Sequence, residues 1–223
     1  MNQAKWERLG AASGFLMLLI GAAGGALERG WPSANEPAKV FAFATENRAA
    51  ILAQSMLFAL SAGLTMWFVA TLRSFLIRAE HGTATMSTLT FGAGLVWTGM
   101  HMVAQAFQVG VAMTSKDGIP EGLLWTAAAM FSMSNLPLAV MLLATAVVVL
   151  RDGAFPAWLG WLSVVAAFAQ TLLWCGTVIE SGPLGPNGWL TYSLYPVFAL
   201  WLLATAVVMV KMAGRLDPAR RNA

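Results

Sequence analysis

The sequence predicts an all-α polytopic membrane protein, a six-transmembrane-helix bundle with both termini cytoplasmic. Three observations carry that expectation. Hydrophobic residues make up 58% of the chain and charged residues 10%, far below the roughly 25% charged content of an average soluble domain. Six apolar segments, 9–27, 49–72, 86–113, 122–150, 156–179 and 189–212, hold no Arg, Asp or Glu, and their one Lys, Lys211, stands at the very end of the last. A hydrocarbon core about 30 Å thick is crossed by about 20 such residues in a helix. The runs are apolar all round, whereas strands of a membrane barrel alternate over about ten residues. No linker or low-complexity tract divides the chain, so residues 1–223 are read as one membrane domain.

The first span is preceded by Lys5 and Arg8, and the small residues 21–26 close it, as at the end of a secretory signal. Its apolar run is longer than the roughly 7–15 residues of a signal core. A retained helix is therefore expected. Orientation follows from the cations: with the amino terminus inside, Lys5, Arg8, Arg73, Arg78, Arg151, Lys211, Arg215, Arg220 and Arg221 face the cytoplasm, against Arg29, Lys39, Arg48 and Lys116 outside. That asymmetry obeys the positive-inside rule. Trp6, Trp31, Trp125, Trp158 and Trp189 fall near span ends, where an amphipathic ring prefers the headgroup layer. The basic tail reads as a topology determinant touching anionic lipid, not as a nucleic-acid site.

The first loop, 28–48, contains Pro32 and Pro37 and then Val40, Phe41 and Phe43. A short surface helix over 38–44 and a plain covering loop both fit, and Pro37 suits the first turn of such a helix because its missing N–H would be unpaired there. Thr45 or Asn47 is the expected cap of the second span. The run LLATAVV occurs at 142–148 and again at 202–208, each copy soon followed by a cation, Arg151 and Lys211. A duplicated hairpin and coincidence among common apolar residues explain it equally.

Polar groups are costly in hydrocarbon and must face partners or water, so their placement marks candidate sites. His101, Gln105 and Gln108 share one face of the third span, extended by Thr90, Gly94 and Trp97. The fourth span adds Ser132, Ser134 and Asn135, with Pro137 expected to kink the helix and free the Met133 carbonyl for a donor such as Asn135 or Gln105. The fifth places Gln170, Trp174 and Thr177 on one face, and the sixth carries Tyr192 and Tyr195. His101, Gln105, Gln108, Asn135, Gln170, Trp174 and Tyr195 are thus the candidate ligand-binding residues, at mid-depth or toward the outside. The alternative is interhelical glue, the common role of Asn, Gln and His in bundles. Gly10, Gly14, Gly21, Gly24 and Gly25 form a small-residue stripe expected to let the first helix pack closely.

Several chemistries find no residues to carry them. Cys175 is the single cysteine, so no internal disulfide or dithiol pair exists. His81 and His101 are the only histidines, which leaves no bis-histidine haem or histidine-rich zinc site. No Lys stands in the interior of a span to hold a Schiff base, and no carboxylate stands there to relay protons. No cofactor is expected.

The segments WERLGAASGFL, ATENRAAIL, LRSFLIRAEHG and LLATAVVVLRDGAFPAWLGWLSVV together resemble an uncharacterised six-span bacterial membrane family, largely actinobacterial and catalogued as a domain of unknown function. The resemblance runs from about Glu7 to Lys211. Its most specific piece is the turn 151–161, where Asp152 and Gly153 break one helix and Pro156 starts the next. It implies a plasma-membrane location and six helices, and it brings no catalytic residues.

The sequence therefore favours a non-enzymatic membrane protein that binds a small or lipid-like ligand, or a partner helix, in an outward-facing polar pocket. A transporter is the first alternative and a membrane enzyme with His101 as general base the second. The partners expected are membrane lipid and either a small molecule or another membrane protein.

Overall fold

The computed structural model describes residues 3–27, 32, 36–114, 121–179, 182–184 and 188–213. Trp31, Lys116 and the basic tail lie outside them. Within them the chain is helical, with no strand: α1 (Gln3–Leu27), α2 (Pro37–Glu46), α3 (Arg48–Ala79), α4 (Thr85–Thr114), α5 (Glu121–Asp152), α6 (Ala157–Cys175) and α7 (Trp189–Met212). A 3-10 turn, Gly176–Val178, follows α6. The long helices coincide with the six expected segments but overrun several of them at polar ends, as where α1 takes in Lys5, Glu7 and Arg8. Apolar runs mark the hydrocarbon-compatible part of a helix, while Lys, Arg, Glu and Gln continue it readily.

Neighbours in sequence are neighbours in space. α1 packs on α3, each long helix then packs on the next, and α7 returns to α1 to close a ring. Contacts define two ends. At the charged end, Arg78 Nη1 donates to Glu7 Oε1 at 2.6 Å, tying α3 to α1, and Arg151 reaches within 3.9 Å of Glu80. At the opposite end, Val40 and Ala44 of α2 bury completely against Ile51, Val111, Ala112 and Leu124, so α2 caps the ends of α3, α4 and α5. The segment is thus helical, over Pro37–Glu46, and Pro37 occupies its first turn. Asn47 departs from expectation. It precedes α3, yet its side chain donates backward to the Phe43 carbonyl at 3.0 Å and closes α2 instead of capping α3, because the two helices are nearly continuous and the preceding carbonyl is the nearer partner. Thr45 likewise bonds the Phe41 carbonyl.

α1 lies close against α3 at two glycines. A Cβ on Gly10 would stand 1.9 Å from Thr71 Oγ1, and one on Gly14 2.8 Å from the Phe68 ring and 3.3 Å from Ala206 of α7. Aromatic rings fill the middle of the ring of helices. Trp201 donates its indole N–H to Ser163 at 2.7 Å, stacks on Phe198 at 5.8 Å and meets Phe68 edge-on at 6.5 Å. The two LLATAVV copies present the same face: Leu142, Thr145, Ala146 and Val148 are buried in α5, as are Leu202, Thr205, Ala206 and Val208 in α7. Leu143 and Val147, like Leu203 and Val207, face outward.

Five helices are long and apolar enough to cross a membrane: α1, α3, α5, α6 with its 3-10 turn, and α7. α4 is long enough but more polar on average, so length and composition alone show five of the six expected spans. Its threonines, glycines, His101, Gln105 and Gln108 dilute the apolar residues. Every long helix nonetheless turns an apolar side chain outward, as with Leu16, Met56, Val96, Leu143, Phe168 and Leu200. Buried Ser13, Gln54, Gln105, Ser134, Gln170 and Thr205 occupy the inside. An apolar outer face, with the polar side chains turned inside, is the arrangement hydrocarbon solvent selects. The chain is built as a multi-pass membrane protein.

Candidate functional site

The buried apolar residues form two separate clusters. The larger runs from the charged end through Phe75, Leu76, Leu159 and Met209 to Trp97 and Trp201; the smaller lies under α2. Polar side chains occupy the level between them. Gln54 follows the start of α3 at Arg48 by less than two turns, and Gln108 and Gln170 precede the ends of α4 at Thr114 and of α6 at Cys175 by as little. All three helix ends lie on the α2 side. Gln105 stands about one turn deeper, and His101 and Asn135 fall near the middles of α4 and α5.

Burial puts these amides inside the ring. Gln54 is 0% exposed, Gln170 1%, Gln105 5%, Gln108 6% and Trp97 8%. Both ends of the Gln54 amide, one polar atom of each of Gln105, Gln108 and Gln170, the Ser55 hydroxyl and the Trp97 indole N–H are buried without a hydrogen-bond partner. Turning an amide over exchanges its N and O, but Gln54 has neither end satisfied, so no flip relieves it. Among the described residues, no hydrogen bond joins any two of His101, Gln105, Gln108, Asn135 and Gln170. Neither Asn135 nor Gln105 supplies the donor expected at the Met133 carbonyl; beside Pro137 the bond formed is from the Ser134 hydroxyl to the Phe131 carbonyl, 2.6 Å.

Most buried hydroxyls behave differently, Ser55 excepted. Thr98, Thr145, Ser163 and Thr205 each bond a carbonyl one turn back in their own helix, at 2.7–2.8 Å. A short side chain closes that loop easily, whereas a glutamine amide stands out from its own backbone and looks for a partner elsewhere. Orphaned polar atoms are therefore concentrated among the amides.

His101 is half-buried, its Nδ1 is 3.2 Å from the Trp97 carbonyl, and its ring meets Trp97 at 5.1 Å and Phe131 at 5.6 Å edge-on. Trp97 continues to Phe198 at 5.2 Å. A chain of rings thus leads from α7 through α4 to α5, passing the unpartnered indole N–H. Of the seven residues singled out in the sequence, Gln105, Gln108, Asn135 and Gln170 face the interior, and His101 and Trp174 are half-buried. Tyr195, 50% exposed, lies on the outside of α7. Thr177 leaves the face it was expected to share with Gln170 and Trp174, because α6 ends at Cys175 and Thr177 sits in the 3-10 turn, bonded to the Trp174 carbonyl. Gln54 and Ser55 were missed. The signal was present, since Gln54 is the single Gln of the second apolar run, but without a second amide on its face it formed no stripe.

Among the described residues no ionised group belongs to this level, and no cluster of His, Cys, Asp or Glu suited to a metal occurs. What the layer can do is donate and accept hydrogen bonds without charge. No family model, no curated protein and no solved structure matches the chain. Its geometry alone has to speak for the function.

Proposed function

We propose that this is a six-span protein of the bacterial plasma membrane, with both termini in the cytoplasm, that binds a small uncharged molecule at the amide layer beneath α2. The observation that carries the reading is the set of four glutamines and one tryptophan whose buried polar atoms have no partner. Leaving a buried polar group unsatisfied costs about 1–3 kcal/mol. Amides retained to hold helices together would be bonded to one another, and these are not. A ligand with acceptors for N–H and donors for amide oxygen supplies the missing bonds. It is uncharged because an unpaired ion in such surroundings costs far more than an amide.

α4 counts as the sixth span on the direction of its side chains. Its outward residues include Leu89, Val96, Met102, Val103 and Met113, while Thr90, Thr98, Gln105 and Gln108 turn inward. The orientation is supported by the cation asymmetry of the sequence, and the bacterial setting by the family resemblance. A transporter would need a polar route through the charged end, where the continuous apolar cluster lies. An enzyme using His101 would need a second ionisable group at its level, and none is found among the described residues.

The test is thermal unfolding of the purified protein in detergent. Gln54→Met and Gln170→Met remove orphaned amides at similar volume, so each variant is expected to melt higher, by roughly 2–8 °C for about 1–3 kcal/mol. Lower melting temperatures in both would identify the amides as structural glue and end the binding reading.

A further inference from the structure

We propose that the α2-side half of α7 is a gate in the wall of the ring, through which an uncharged lipid bearing a carbonyl or hydroxyl head reaches the amide layer from the bilayer. This rests on the binding reading above and adds the ligand class and its route. Among the described residues, packed apolar side chains obstruct both axial routes. At the α2 end, Val40 and Ala44 are sealed against Ile51, Val111, Ala112 and Leu124. At the charged end, Phe75, Leu76, Val149, Phe155, Leu159 and Met209 pack continuously. That packing favours entry between helices.

The packing of α7 is uneven in the way a gate requires. Within 189–200 Thr191 alone is buried, whereas Trp201, Leu202, Thr205, Ala206, Val208 and Met209 are all buried beyond it. α1, its neighbour across the seam, behaves alike: past Met17 only Gly24 is buried, and Gly24 faces Phe58 and Leu57 of α3. The Gly14–Ala206 approach closes the seam in the charged half. Pro196 lies inside the loose half of α7. Lacking an N–H, it cannot bond the Tyr192 carbonyl one turn back, and a helix bends most readily at such a point.

What lies behind the gate sets the chemistry. Phe198 touches Trp97, whose indole N–H is buried and unpartnered, so a donor seeking an oxygen acceptor stands directly behind this half of α7. The amides of the same interior take either an acceptor or a hydroxyl donor. Trp189, Tyr192 and Tyr195 are exposed at the mouth, where aromatic side chains suit the boundary between headgroups and hydrocarbon. A water-borne solute would have no reason to approach from this side. A lipid with an ester or hydroxyl head and no charge fits the route, the donor and the uncharged layer together.

The probe is dioleoylglycerol carrying a diazirine in one acyl chain, given to the full chain in phosphatidylcholine nanodiscs, with crosslinks mapped by mass spectrometry. Expected are crosslinks concentrated within 189–200 and 19–27, displaced by excess unlabelled dioleoylglycerol. Trp97→Phe, which keeps a ring but removes the N–H, should reduce them roughly fivefold, the equivalent of one lost hydrogen bond. Crosslinks spread evenly over α3, α5 and α6 and resistant to displacement would mean annular lipid only and overturn the gate. Displacement by water-soluble glycerol monoacetate but not by dioleoylglycerol would also overturn it, by moving the ligand to the aqueous phase. The two readings fail separately: raised melting temperatures in the glutamine variants with annular labelling would remove the gate and leave the amide site standing.

Discussion

At the scale of single residues, the contrast between satisfied hydroxyls and orphaned amides decides where function is sought. Most buried Ser and Thr, though not Ser55, bond a carbonyl of their own helix, so Thr98 or Ser163 in a buried position says little. Gln54, Gln105, Gln108 and Gln170 do not, and each leaves at least one buried polar atom without a partner in the described chain, the kind of group that calls for a specific explanation. Glycine is the other residue whose placement is informative. At Gly10 the space for a Cβ is taken by the Thr71 side chain, whereas Gly25 has nothing within 4 Å. Gly10→Val is expected to destabilise the protein by about 1–3 kcal/mol through overpacking. Gly25→Ala should lose nothing measurable, and equal melting temperatures for the two variants would count against the close α1–α3 approach.

At the scale of elements, the start of α4 shows how an irregular turn is held. Gly82 and Ala84 both take positive φ, 103° and 55°, in the short connection after α3. Glu80 then reaches over to α4: its carboxylate accepts the Met86 and Ser87 backbone N–H groups, each at 2.8 Å, and the Ser87 hydroxyl. These are the unsatisfied donors of a helix start, and an anion there is favoured further by the helix dipole. Burial by itself would raise the Glu80 pKa, but the Ser87 and Met86 bonds and the nearby Arg151 guanidinium outweigh it and hold the carboxyl below its usual value of 4.5. A carboxyl with a lowered folded pKa contributes its full stability above the ordinary carboxylate range and loses it as pH falls through the folded value. Wild-type protein should therefore lose melting temperature below about pH 4.5 more steeply than Glu80→Gln, as differential scanning fluorimetry across pH 3–7 would show; parallel curves would remove Glu80 as the cause. The capping role was not legible beforehand, because the contact joins residues across a turn whose path depends on two positive-φ positions. The turn after α5 was legible, since Gly153 takes positive φ directly after Asp152 and Pro156 then precedes α6, and each residue type acts through its own backbone.

At the scale of the whole molecule, the ring of sequential neighbours follows from alternating long helices and short connections, which is why the segments and the fold class could be read from the apolar runs. The interior could not be read as fully. Helical spacing brought Gln105 and Gln108 to one face, but whether an amide points at another amide, at a ligand or at lipid depends on the rotation of neighbouring helices, so Gln54 was overlooked and Tyr195 was grouped with residues it does not join. Topology has a direct check. With Cys175→Ser as background, Lys39→Cys at the α2 end should react with a membrane-impermeant maleimide on intact spheroplasts, and His81→Cys at the charged end only after permeabilisation. Both native side chains are largely exposed, so access across the membrane alone separates them, and the reverse pattern would invert the proposed orientation. The polarity of α4 carries a consequence for how the protein is made. A nascent segment is sorted into the bilayer by its summed transfer cost, and α4 taken alone falls short of the other five. On the proposed six-span reading its amides become tolerable only once α3 and α5 lie on either side, so α4 is expected to wait at the translocon until α5 emerges and the three helices to enter the bilayer together.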